Sequence, residues 1–595
     1  MSTTDWNKLF QDLPVEQCWV LLKAKVVELE EKYIPVKRQS GKKNKPIWMT
    51  HKAFKAVRHR RQLYRIYRDA KHPAYVKVAK KSSALVKQAR RNFEEKLATK
   101  IKEDKKSFFA YVRRKCKSNA TVGSLVNNQG QQISTASEKA EVLNDFFCSV
   151  FTKEDATNLP TPDTCHEGAR LDNIEVDPDT IAKKLREVRP DKAAGSDNMS
   201  PRLLKNISEE IANPVAYIFR KSLDTGCVPH DWRTANVTPL FKKGSRCQAE
   251  NYRPVSLTSL ICRVVESLVR DQLVLHLERN CLIRNSQHGF RKGYSCATNL
   301  LTFLEYVTVC IDSKIPVDTV YLDLAKAFDK VPHQRLLLKL KAHGIDGSVY
   351  HWIQAWLADR WQRVCLNGSY STWRQVWSGV PQGSVLGPVL FLIFVNDLDN
   401  GLSSKILKFA DDTKLFRSVE NQMDGSLLQK DLDDVTDWAE RWQMQFNVSK
   451  CKVVHYGKGS IDYSYSMNSQ PIDEVKSEKD LGITVSNDLK ASAHCKEVYA
   501  KANRMLGMIS RTIKDRNPKT MTSLYKSLVR PHLEYSSVVW NPHYHKDKIL
   551  LEKVQHRFTR LFPDLRSLPY EERLNYLKLW TLEERRNRAD LIELF

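Results

Sequence analysis

VDTVYLDLAKAFDKVPHQRLLLKLKAHGI, residues 317–345, is the stretch on which the fold turns. Its β-branched opening predicts a strand that ends on Asp323, and a turn through Phe328 and Asp329 then leads into a helix starting near His333. An acid at the C-terminal end of such a strand, unneeded for the core, stands where α/β proteins gather the ligands of their active sites. Further along, KILKFADDTKLFRSV (405–419) sets Asp411 and Asp412 between two apolar-rich half-strands, the pattern of a hairpin turn. Between the two lies SGVPQGSVLGPVLFLIFVNDL (378–398), where Gly379, Pro381 and Gly383 shape a tight turn into an apolar helix and Gln382 offers an amide. If the strand of Asp323 lies beside the hairpin, three carboxylates converge. Their repulsion calls for hard divalent cations such as Mg²⁺, which take carboxylates, water and substrate phosphates as ligands. A pair of such ions is the standard clamp for in-line displacement at phosphorus.

Around this centre the texture is mixed. From about residue 178, helical segments alternate with short strands at TANVTPLF, PVDTVYLDL, RQVWSGV, KILKFA and KVVHYG, which predicts an α+β domain. After about residue 488 the chain reads as helix again. Trp232, Trp438 and Trp442 are expected in the core, and His455, four residues after Cys451, as a structural side chain rather than a metal ligand.

The chain has 595 residues and a net charge of +27, ordinary in its 42% hydrophobic and 28% charged residues. Between Lys32 and Lys117, 29 Lys+Arg stand against 5 Asp+Glu, so +24 of the excess sits in one stretch. Trp48, Phe54, Tyr64 and Tyr67 interleave with those cations, and helical spacing continues through residues 83–116. A polyanionic partner follows: cations for phosphates, aromatic faces for bases or for the helices' own core. The longest apolar run, Val385–Val395, is too short to span a bilayer, and no export signal opens the chain. The 13 cysteines form no C-x-x-C pair, which suits reduced thiols. The expected setting is nucleus and cytoplasm, with no membrane partner.

YLDLAKAFDKV, GVPQGSVLGPVLFLIFVNDL, KFADDTKLF, MQFNVSKCKVVHYG and EKDLGITV together resemble motifs A to E of reverse transcriptases, specifically those of jockey-like LINE (non-LTR) retrotransposons. KAAGSDNMSPRLLK, TPLFKKG, NYRPVSLTSL and SQHGFRKGYSCATNL resemble that family's upstream motifs; Ala194 and Ser196 stand where it usually has Pro. LYKSLVRPHLEYSSVVWNP and LPYEERLNYLKLWTLEERR resemble its thumb and the region beyond. The resemblance covers roughly residues 180–595, and KPIWMTHKAFKAVRHRRQLYRIYR (45–68) is similar to the basic region before such polymerases.

The resemblance implies a right-hand polymerase with fingers, a ferredoxin-like palm and a helical thumb. The boundaries expected are a basic helical nucleic-acid-binding extension over 1–150, fingers and palm over 178–488, and thumb and post-thumb over 489–595. It implies RNA-directed DNA synthesis: two Mg²⁺ ions, with Mn²⁺ able to substitute, held by Asp323, Asp411, Asp412 and the Leu324 carbonyl. Lys242 and Arg253 would grip the dNTP triphosphate, with Lys243 able to share the task. Phe328 would be the gate against a ribose 2′-OH and Gln382 part of the floor for the nascent base pair. Gln287, Gly289, Phe290, Arg291 and Gly383 would contact the template, and Lys450 would act as acid toward pyrophosphate. RNA template, DNA primer or nicked target DNA, and dNTPs are the partners implied. The family's N-terminal endonuclease is not expected in the basic residues ahead of the motifs. A catalytically retired polymerase that binds RNA is the alternative reading, and an intron-maturase-like splicing cofactor a third.

Overall fold

The computed structural model describes residues 4–34, 46–116, 122–127, 129–163, 165–459, 461 and 463–594. They divide into two compact units: 1–37 with 121–476, and 38–120 with 477–595.

The first unit is α+β and holds eight strands of interest. β1 (Thr234–Phe241) and β2 (Tyr252–Leu257) pair antiparallel, and β3 (Val317–Asp323) carries the acid expected at its end. β4 (Arg360–Leu366) runs parallel to β1. β5 (Lys405–Phe409) and β6 (Asp412–Ser418) form a hairpin; β7 (Lys452–Tyr456) and β8 (Asp473–Glu474) follow. Two sheets result: β2-β1-β4, extended by short strands that pair with β4, and β8-β7-β3-β6-β5. In the second, β3 lies between β6 and β7, antiparallel to both. Its first four residues are buried, which is why Val317–Val320 does not simply alternate apolar with polar. The buried Asp318 accepts from His455 Nδ1 at 2.6 Å and from the Tyr465 hydroxyl at 2.7 Å. His455 therefore has the structural partner expected of it.

Helices pack over this sheet. Phe303, on the Cys296–Asp312 helix, meets Phe416 of β6 at 5.1 Å and Tyr456 of β7 at 5.8 Å between ring centres. The apolar run after PQG becomes the Gly387–Phe394 helix, buried on nearly every side. Glu266, fully buried, accepts from the Val385 and Leu386 N–H groups just before that helix. Trp232, Trp438 and Trp442 are core residues.

The expected extension over 1–150 is divided between the units. Residues 15–33 form a helix whose Trp19 and Lys23 both bind Asp231, at 2.9 and 2.6 Å, and Trp19 packs edge-on against Trp232. Helix Ala136–Ser149 packs on β4. Both belong to the first unit because their apolar faces find its core. The most basic part of the chain joins the second unit instead. Its helices His51–Tyr67, Pro73–Thr99 and Lys105–Cys116 associate with residues 477–594. Glu94 is the node: fully buried, it accepts from Arg90 Nε at 3.0 Å, Tyr111 Oη at 2.7 Å, and the Lys514 and Asp515 N–H groups at 2.8 and 2.9 Å. Part of the basic stretch, residues 35–45 and 117, lies outside the described residues. The division also falls at 476/477 rather than 488, because the hairpin Ser477–Asp480 and Ile483–Ser486 packs on the Ser492–Thr512 helix.

Candidate active site

Strand pairing builds the site. Asp412 is the register partner of Asp323 across β6 and β3, and Asp411 occupies the turn that joins β6 to β5. Ala410, ahead of it, adopts a left-handed conformation with φ +57°. Burial pushes the Asp411 carboxyl above its ordinary range; the Asp323 charge raises it further, while Arg253 and Lys242 pull it down. Asp323 and Asp411 are thus electrostatic neighbours, as are the two cations.

Behind Asp323 the chain is held by a single antiparallel bridge, Leu324 to Phe446. Its bonds run from the Asn447 N–H to the Asp323 carbonyl at 2.7 Å and from the Ala325 N–H to the Gln445 carbonyl at 2.8 Å. Leu324's own carbonyl therefore points away from that bridge. Lys450 ends the short turn that follows, and its ammonium lies 2.9 Å from Asp323 Oδ2.

Lys242 follows β1, with its N–H bonded to the Asn251 carbonyl at 2.8 Å. Its pKa is lowered by burial and then by Arg253 and Lys450, with Asp323 opposing. Lys242 is thus an electrostatic neighbour of Asp323, Arg253 and Lys450. The oxygen donors at this centre, two carboxylates and a carbonyl, are of the kind Mg²⁺ takes. Among the described residues, no group of three or more His, Cys, Asp or Glu is arranged as a metal site.

Phe328 stacks on Phe391 with ring centres 4.4 Å apart. The PQG loop is bonded to its turn: Val380 N–H to the Phe328 carbonyl at 2.8 Å, Gly379 N–H to the Val331 carbonyl at 2.7 Å, and Ser378 Oγ to the Asp329 carbonyl at 2.8 Å. A Cβ on Gly379 would stand 2.6 Å from the carbonyl oxygens of Phe328 and Asp329, and one on Gly383 2.7 Å from the Ser256 carbonyl. Both positions have positive φ, so glycine is required twice over. The Gln382 carbonyl accepts from Ser256 N–H on β2, and its side-chain Nε2 donates to Asp329 Oδ1 at 2.9 Å. Asp329, left unassigned by the sequence reading, is the functional candidate that reading missed; an acid directly after a gate-like aromatic was the available signal.

The residues expected at the template divide. Gln287 is buried, and its Oε1 accepts from the N–H groups of Gly289 at 2.8 Å and Ala410 at 2.9 Å. It holds the Asp hairpin from behind. Gly289 presses on the same turn: a Cβ there would stand 2.5 Å from Ala410 N. Arg291 is tied into its own loop, donating to the Arg284 carbonyl at 3.0 Å and lying 4.4 Å from the centre of the Tyr294 ring. Phe290, with φ +56°, is exposed.

With that arrangement in place, comparison with known proteins identifies the domain. The family model "Reverse transcriptase (RNA-dependent DNA polymerase)" matches residues 241–509. Residues 241–509 form a reverse-transcriptase domain. The domain is closely related to those of the jockey, R1 and R2 types of non-LTR retrotransposon. The chain is 28% identical to the "RNA-directed DNA polymerase from mobile element jockey" of Drosophila melanogaster, over 65% of this chain and 44% of the relative. It is 24% identical to the "Probable RNA-directed DNA polymerase from transposon X-element" of the same species, over 76% of this chain and 51% of the relative. The Drosophila funebris jockey polymerase matches at 24% over 74% and 51%. The chain thus spans about half the length of the curated relatives it matches. No helix among the described residues is long and apolar enough to cross a membrane.

Proposed function

We propose that this chain is an RNA-directed DNA polymerase of a non-LTR retrotransposon, joining a dNTP to a primer 3′-OH on an RNA template. The observation that carries the reading is the meeting of Asp323 and the Asp411 turn, with Lys242 and Arg253 as their electrostatic neighbours. In this reading the sheet β7-β3-β6-β5 is a ferredoxin-like palm, β1 and β2 belong to the fingers, and the helices from Ser492 onward are the thumb. Asp323, Asp411 and the Leu324 carbonyl would hold Mg²⁺, with Asp412 contributing less; the metal would acidify the 3′-OH and neutralise the triphosphate.

The chain's own residues do the rest. Lys242 and Arg253 bind the triphosphate and stabilise charge building on the leaving pyrophosphate. The Phe328 ring, fixed by its stack on Phe391, excludes a 2′-OH. Gln382 and Gly383 form the floor under the nascent pair. Lys450, its ammonium 2.9 Å from Asp323 Oδ2, is placed beside the reacting centre to give a proton to pyrophosphate. Gln287 and Gly289 act through the hairpin they hold, which leaves Phe290 as the exposed template contact. RNA and nicked or primed DNA are the partners the charge of residues 46–116 fits.

The test is primer extension on poly(rA)/oligo(dT) with Mg²⁺. The full chain incorporates dTTP, and Asp411→Ala lowers incorporation by about 10³-fold or more, while RNA affinity by filter binding stays within about twofold because the basic helices are untouched. Folded wild-type protein that binds RNA but incorporates nothing would favour the retired-polymerase alternative, and Asp411→Ala with normal extension would remove the site.

A further inference from the structure

Asp329 sits one residue beyond the gate and is 8% exposed. Its Oδ1 accepts from Gln382 Nε2 at 2.9 Å, and its Oδ2, also buried, has no hydrogen-bond partner among the described residues. Its backbone carbonyl accepts from Ser378 Oγ, so side chain and main chain grip the two ends of the same loop. A carboxylate can only accept, and a primary amide donates through nitrogen alone. This bond therefore fixes which end of the Gln382 amide meets Asp329, and the Oε1 end is turned elsewhere. A core side chain serving packing alone would not be an acid with one buried oxygen left over, since that arrangement is costly.

We propose that Asp329 is a positioning residue for nucleotide selection: it orients the Gln382 amide toward the nascent base pair and locks the PQG floor to the turn that carries Phe328. The inference rests on the polymerase reading above and adds a residue to it. Burial raises the Asp329 carboxyl to about 6, with the Gln382 bond and the charges of Lys326 and Arg253 opposing. The other charged or titratable groups close by are Arg360 of β4, which lines a small cavity with Asp329, and His333, bonded to the Gly379 carbonyl. Protonated, Asp329 could donate instead of accept, and the amide would be free to present its other end.

Two measurements test this, one of them independent of catalysis. In steady-state extension, Asp329→Ala raises the KM for dTTP about tenfold with kcat within about threefold, and narrows the preference for dTTP over UTP. Asp329→Asn, which keeps an acceptor oxygen, restores both. In Gln382→Ala, adding Asp329→Ala changes KM by less than twofold, the non-additivity expected of a coupled pair. An active enzyme whose two substitutions multiply independently overturns the proposal and leaves the polymerase reading standing. In protein labelled with ¹⁵N-glutamine, the Gln382 side-chain signal, assigned by its loss in Gln382→Ala, titrates with a midpoint near 6 in the wild type and not in Asp329→Asn. A signal that ignores both pH and Asp329 overturns the proposal even in a protein that extends no primer.

Discussion

At Asp329, burial and function pull on one carboxyl. Folding raises its pKa from the ordinary value of 3.8 to about 6. Between those values the folded state holds a proton that the unfolded chain has released, so this group's contribution to stability falls as pH rises through the window. Above it the full penalty stands, at most about 3 kcal/mol. Asp329→Asn removes the charge and keeps the shape. Urea midpoints are therefore expected to favour the variant at pH 8 and to converge with the wild type near pH 4. A variant less stable than the wild type at pH 8 would mean that Lys326 and Arg253 satisfy the ionised form. The residue was visible in the sequence as the acid of AFDK, but its role was not, because the partner that gives it meaning is Gln382, 53 positions away.

Single elements were the legible part. The runs TANVTPLF, PVDTVYLDL, KILKFA and KVVHYG became β1, β3, β5 and β7, because β-branched residues bounded by turn formers need little tertiary help to declare a strand. RQVWSGV kept only Arg374–Val376 as strand, since the Ser378–Gly379 end is claimed by bonds to the Asp329 turn. What local pattern could not reveal is the support behind the Asp411 hairpin. The resemblance assigns Gln287 and Gly289 to the template, yet in the structure they back the Ala410–Asp411 turn. Gly289→Ala drives a methyl into that backbone and is expected to cost about 1–3 kcal/mol. Because the atom struck is Ala410 N, one residue before Asp411, extension should fall about 100-fold or more at a temperature where circular dichroism still reports a folded protein. Extension lost only in proportion to unfolding would reduce Gly289 to a packing residue.

At the scale of the whole chain, the charge is legible in the sequence and the surface that the basic helices cover is not. The sequence places +24 in one stretch and suggests a basic helical extension, since nothing local says which distant surface a basic helix covers. In the structure those helices share a core with residues 477–594, and Glu94 is their fastening. Burial pushes its pKa up, but bonds from Asp515, Tyr111, Arg90 and Lys514 more than offset this and hold it below the usual glutamate value. The stabilisation is therefore present above the ordinary glutamate range and is lost as pH falls through the depressed folded value. Glu94→Ala takes the acceptor from the Lys514 and Asp515 N–H groups, from Tyr111 Oη and from the Arg90 charge, and is expected to destabilise the second unit by about 3 kcal/mol or more. Deleting residues 1–117 goes further. It removes the basic surface together with the wall of that core, so limited proteolysis should open residues 477–594 to cleavage that the full chain resists. Loss of RNA binding in the truncated chain would then mix lost charge with lost stability, since the Val15–Tyr33 helix of the first unit goes too, and Glu94→Ala at neutral pH separates charge from the node, because it keeps every cation. Salt-dependent RNA affinity that survives Glu94→Ala while protease resistance falls would assign binding to the charges and stability to the node. A truncated chain whose residues 477–594 stay as resistant as before would show that the helices are no part of the core that protects them.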